Sequence, residues 1–173
     1  MLRILSLIIA VVLVIWGILF LTGYNASPEY ENSISFTVTN SPMLTWQQML
    51  DIKDTPNRKS DVKSIEILEE YGKLIAWKEN LKNGGHRTYR MNKRIENQEL
   101  VLELTESTEG LMGVWTFTFQ KEDADTFISI SEKSKLTNTL SRGYHTILGR
   151  EYNLLVWQKY IKVGLVQALL NTP

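Results

Sequence analysis

Two carboxylates stand where alternating apolar runs would continue, and together they could do acid/base chemistry. Residues 110–132 read GLMGVWTFTFQKEDADTFISISE. Ile128 and Ile130 share one side of the second run, and period-2 alternation puts Glu132 on that same side. Trp77-Lys78-Glu79 closes another such run. A Glu79/Glu132 pair could act as general acid and base. The structural expectation is that Glu132 lies at a strand end within reach of water, or is latched to Arg142 or Lys133, because a buried, unpaired carboxylate is costly.

Other chemistry finds little support. The two histidines, His86 and His145, are far apart in a chain without cysteine, and a zinc site needs three or four close ligands. Nothing resembles a nucleophile elbow or a glycine-rich phosphate loop. The formal net charge is zero, which argues against a nucleic acid partner. The charges are nevertheless blocked: residues 53–94 hold eleven Lys/Arg against six Asp/Glu, and residues 95–132 hold one against nine. Neighbouring strands with complementary outer faces would account for this.

The elements that must position these residues follow from periodicity. Ser33–Thr39 alternates as a first strand, and Ser41-Pro42 is an N-cap followed by a favoured first helical residue. A second short helix is expected over Arg58–Asp61. Strands are expected at Val62–Leu68, Leu74–Glu79, Thr88–Ile95, Leu100–Thr105, Gly113–Phe119 and Thr126–Glu132, joined by short Gly/Asn/Asp-bearing links. Such links imply an antiparallel meander. Leu154, Trp157, Ile161, Leu165 and Ala168 recur at three and four, so residues 151–170 should form one amphipathic helix.

At the front, Ile4–Leu21 contains no charge and only Ser6 is polar. Eighteen residues of helix span about 27 Å, close to the hydrocarbon thickness of a bilayer. The run exceeds a signal-peptide core, and Tyr24 occupies the place where cleavage needs a small residue. The expectation is an uncleaved transmembrane anchor over residues 1–23, a linker over 24–32 and a folded domain over 33–173. Arg3 precedes the span and no Lys or Arg recurs until Lys53. The positive-inside rule then leaves the N-terminus cytoplasmic and the domain on the external or periplasmic side of the cell membrane.

That element order, with certain residues, resembles the START-like superfamily, the helix-grip proteins that include the birch-pollen allergen and the polyketide cyclase/lipid-transport group (SRPBCC). Four stretches carry the resemblance: SFTVTNSPMLTWQQMLDIKDTP, DVKSIEILEEYGKLIAWKE, GVWTFTF with DTFISISEKSKLTN, and Asn138–Arg142 leading to Gly149 and the long helix. The sequence departs from the pattern at Arg58-Lys59-Ser60, where many members carry an aromatic. The resemblance implies an α+β helix-grip fold: a curved antiparallel sheet wrapped around a long C-terminal helix, here preceded by one N-terminal transmembrane helix. It further implies a cavity for a hydrophobic small molecule or lipid. From the residues themselves, no cofactor and no metal is expected. The cavity-lining candidates are Trp77, Tyr89, Leu102, Leu104, Trp115, Phe117, Ile128, Ile130 and Glu132. A cyclase/dehydratase-type enzyme and a closed, non-binding interaction module are the alternatives.

Overall fold

The computed structural model describes residues 2–170. Met1 of the expected anchor and residues 171–173 of the expected domain lie outside the described residues. Helix α1 (Leu2–Asn25) leads into strand β1 (Glu29–Val38). Helix α2 (Pro42–Leu50), a 3-10 turn (Ile52–Asp54) and the single helical turn α3 (Thr55–Arg58) follow. Six strands then run in succession: β2 (Val62–Tyr71), β3 (Leu74–Leu81), β4 (His86–Ile95), β5 (Glu99–Ser107), β6 (Leu111–Glu122) and β7 (Asp125–Leu136). Helices α4 (Thr139–Leu148) and α5 (Tyr152–Leu170) close the described chain.

The strands form one antiparallel sheet in the order β1-β7-β6-β5-β4-β3-β2. Tight turns make the meander possible. Asn97 and Asp123 adopt φ of 57° and 52° at two hairpin tips, a left-handed conformation that Asn and Asp tolerate better than most residues. Register shifts in β2 and along β4–β5 are the bulges that let a sheet curve. The concave face carries Tyr89, Met91, Leu100, Leu102, Leu104, Trp115, Phe117, Ile128 and Ile130, all buried. Helix α5 meets it with Leu154, Trp157, Tyr160, Ile161, Gly164 and Leu165. The blocked charges are explained by β4 facing β5 and the turn after it: Lys93 pairs with Glu99 at 2.7 Å, and Arg87 with Glu109 of that turn at 2.8 Å.

Strands β2 to β6 extend the expected ranges by a few residues at their ends, and other elements differ more tellingly. Strand β1 begins at Glu29, so it takes residues that read as linker. Its polar start is held by Glu29–Lys135 and Glu31–Lys133 ion pairs across β7, at 3.1 and 3.0 Å. Strand β7 correspondingly runs on to Leu136. The short helix occupies Thr55–Arg58 rather than Arg58–Asp61, because Pro56 suits a first turn and Lys59 is already extended at φ −109°, ψ 115°. Helix α4 stands where the sequence pattern predicts only a lead-in to the last helix. Asn138 caps it by accepting from the Leu140 and Ser141 amides, and Gly149 ends it at φ 96°.

Candidate ligand cavity

The concave face is not filled by α5 throughout. A cavity of about 780 Å³ opens between the sheet, α4 and α5. Its apolar wall includes Leu111, Trp115, Leu136, Leu140, Val156 and Trp157, and its polar wall includes Lys59, Asp61, Arg87, Glu109 and Asn153. Helix α1 contributes Trp16 and Leu19.

Among the residues singled out from sequence, Tyr89 and Trp115 lie on this wall. Trp77 and Leu102 border a separate void of about 10 Å³, room for about one water and no more. Leu104, Phe117, Ile128 and Ile130 are packed core, each 1% exposed or less. Aromatic edges knit that core to α5: Phe117 meets Trp157 edge-on at 5.3 Å, and Trp77 stacks on Tyr89 at 5.2 Å. The residues of α4 and α1 on the cavity wall were not anticipated.

Glu132 is neither at a strand end nor within reach of water, for β7 continues four residues past it and it is 1% exposed. Its partners are not Arg142 or Lys133. Ser134 Oγ donates to its Oε1 at 2.6 Å, and the Tyr30 hydroxyl and Asn153 Nδ2 each donate at 3.1 Å. Asn153 also donates to the Tyr30 hydroxyl at 3.0 Å, so one polar cluster ties β1, β7 and the start of α5 together. Burial pushes the Glu132 carboxyl up, and the hydrogen bonds from Ser134, Asn153 and Tyr30 oppose that only in part. Burial, together with the nearby Glu132, also raises the Tyr30 hydroxyl and keeps it neutral.

A Glu79/Glu132 carboxylate pair does not form. Glu79 is on β3 and Glu132 on β7, with three strands between them, a separation on the order of 15–20 Å across a curved sheet. Glu79 instead accepts from Lys59 Nζ at 2.8 Å, with both side chains 3% exposed or less. The Lys59 ammonium lies 4.0 Å from the Trp157 ring centre, 5.2 Å from Tyr89 and 5.6 Å from Tyr160. The aromatic box and the carboxylate compensate a cation that is almost wholly buried at the cavity wall. Arg58, also buried, is neutralised by Asp54 at 2.8 Å and Asp51 at 3.2 Å, and it lies against Gly164, where a Cβ would come within 2.7 Å of it.

The histidines stay apart from one another. His86 opens β4 and pairs with Glu106 at 3.1 Å. His145 lies on the cavity wall, where burial lowers its pKa. No group of three or more His, Cys, Asp or Glu able to hold a metal occurs among the described residues.

This geometry can be set beside known structures. The aromatase/cyclase ZhuI from Streptomyces sp. R1128 superposes with a TM-score of 0.66 over 81% of this chain and 96% of that one, at 14% identity. A START superfamily protein from Mycobacterium smegmatis matches at 0.57 over 76% and 97%, at 12% identity. The fold is the START-like helix grip. Ara h 8.0201 has the same START-like architecture, with a TM-score of 0.62, 13% identity and coverage of 80% of this chain and 99% of that one. No family model matches the sequence, and no curated protein matches it with significance. At such identities the likeness is one of fold, and the chemistry has to come from the chain's own residues.

Glu132 supplies one pH-dependent expectation. A carboxyl whose pKa is raised on folding holds more protons folded than unfolded. The stability tied to its protonated form is therefore present below the ordinary glutamate range and is lost as pH rises through the folded value. Urea midpoints of the wild type should thus fall relative to those of Glu132→Gln as pH climbs from about 4.5 toward neutrality. A difference between the two proteins that stays constant across that range would show that Glu132 ionises as freely folded as unfolded.

Proposed function

We propose that this chain is a membrane-tethered START-like domain that binds a hydrophobic small molecule or lipid between its sheet and α5. The observation that carries the reading is the 780 Å³ cavity, whose lining combines Leu, Val, Trp and Tyr side chains with a comparable number of polar and charged ones. Its size and mixed lining suit a small apolar ligand with one polar end. Helix α1 supports the tether, since it is long and apolar enough to cross a membrane. We assign its N-terminus to the cytoplasmic side from Arg3, and a C-terminal reporter active only outside the cytoplasm tests that side directly. The acid/base alternative loses support because three strands separate Glu79 from Glu132, with Lys59 held on Glu79 and three donors on Glu132 Oε1.

The deciding experiment is native mass spectrometry of the full chain released from detergent micelles. Wild type should carry a co-purified molecule, or an added naphthol at micromolar concentration. Val156→Trp places an indole in the cavity from a half-buried position of α5, and should abolish either adduct while the protein stays folded. Unliganded wild type that also ignores naphthol would end the binding hypothesis.

A further inference from the structure

Every sheet residue on the cavity wall comes from one end of the sheet. That end holds the start of β4 with Arg87 and Tyr89, the start of β6 with Leu111 and Trp115, and the end of β7 with Leu136. Strand β1 also begins there, paired through Glu29 with Lys135, and only three residues separate it from the end of α1. The apolar helix therefore arrives at the cavity mouth.

It does more than arrive. An added Cβ at Gly23 would overlap the Thr139 carbonyl, and one at Gly143 would overlap the Leu19 carbonyl. One bare Cα on each helix lets the α1 and α4 backbones meet, the way small residues allow close crossings between membrane helices. The crossing turns Trp16 and Leu19 toward the cavity. Beside it, α4 and α5 expose Tyr144, Ile147, Leu148, Tyr152 and Leu155, each between 43% and 56% accessible. Tyr144, Tyr152 and Leu155 share the cavity wall with Trp16 and Leu19 of α1, so a bilayer crossed by α1 would cover this apolar shelf as well. Trp16 stands nine residues before the end of α1, about 13 Å along the axis. The wall it forms then lies at acyl-chain depth, where a ligand meets lipid tails before it meets water.

We propose that α1 is a wall of the binding site as well as a tether, and that the cavity exchanges a long-chain membrane lipid directly with the bilayer through the seam between α1, α4 and α5. This rests on the cavity being a ligand site.

The test uses the full chain carrying Trp16→Phe, reconstituted in vesicles of phosphatidylcholine with brominated tails. Trp16 is replaced because it touches the bilayer in any case. Trp115 and Trp157 line the cavity and are two of the four tryptophans that remain, so up to half of the emission should be quenched relative to unbrominated lipid. Gly143→Leu should remove most of that quenching. Gly23→Leu separates the same crossing from the α1 side and decides the matter if the first variant fails to fold. Both variants should still take up naphthol. Absent quenching in a protein that binds naphthol overturns the lipid route and leaves the cavity reading intact. Absence of both defeats the two readings together. Quenching that survives in both glycine variants overturns the role of α1.

Discussion

Replacing Lys59 with methionine should destabilise the domain by about 3 to 5 kcal/mol, because Glu79 would lose its one close partner in the core and keep only Arg87, 3.8 Å from its other oxygen. The substitution is nearly isosteric, so lost packing is a minor part of the effect. Glu79→Leu should cost a similar amount by stranding the ammonium instead. The double variant Lys59→Met/Glu79→Leu should recover most of the loss, since a buried ion pair and a well-packed apolar pair of similar volume are often close in energy. Urea unfolding of the full chain in detergent measures all three. Losses that simply add in the double variant would mean the 2.8 Å contact between Lys59 and Glu79 is not what holds either group.

Phe117→Ala should be the more damaging of two aromatic truncations, although tryptophan is the larger residue. Phe117 is fully buried, sits opposite Ile130 in the β6–β7 register and packs edge-on against Trp157. Its removal leaves a closed void and should cost about 3 to 5 kcal/mol. Trp115 borders the open cavity, so the space left by Trp115→Ala joins volume that already exists. It should lose less stability than Phe117→Ala while changing naphthol affinity. Equal losses, with affinity untouched, would place Trp115 in the closed core.

These contrasts also mark what could be read from sequence. The hairpins were legible because Asn, Asp and Gly punctuate clean alternation, and the long helix because Leu154, Trp157, Ile161 and Leu165 keep their spacing. The polar start of β1 was not, since Glu29 and Glu31 find their lysines about a hundred residues away on β7. Lys59 was legible only as a departure. Arg58-Lys59-Ser60-Asp61 is polar throughout, and nothing local says that two of its members are buried. Glu132 was placed on the correct face by alternation, but its depth depends on Tyr30 and Asn153 arriving from opposite ends of the domain. The cavity wall was the least legible part. Tyr89 and Trp115 border it while Phe117, two residues further along the same face, does not, and only the path of α4 and α5 over the sheet makes that distinction.

The joint between α1 and β1 sets how far the domain can travel. Only Ala26, Ser27 and Pro28 separate the helix from the sheet, a leash of about 10 Å at full extension. Arg150 shortens it further by donating to the Ser27 carbonyl at 3.1 Å. With α1 in a bilayer, a domain held this closely cannot shuttle cargo to a second membrane. On the proposed reading, a ligand would be taken up and released at the surface on which the domain stands.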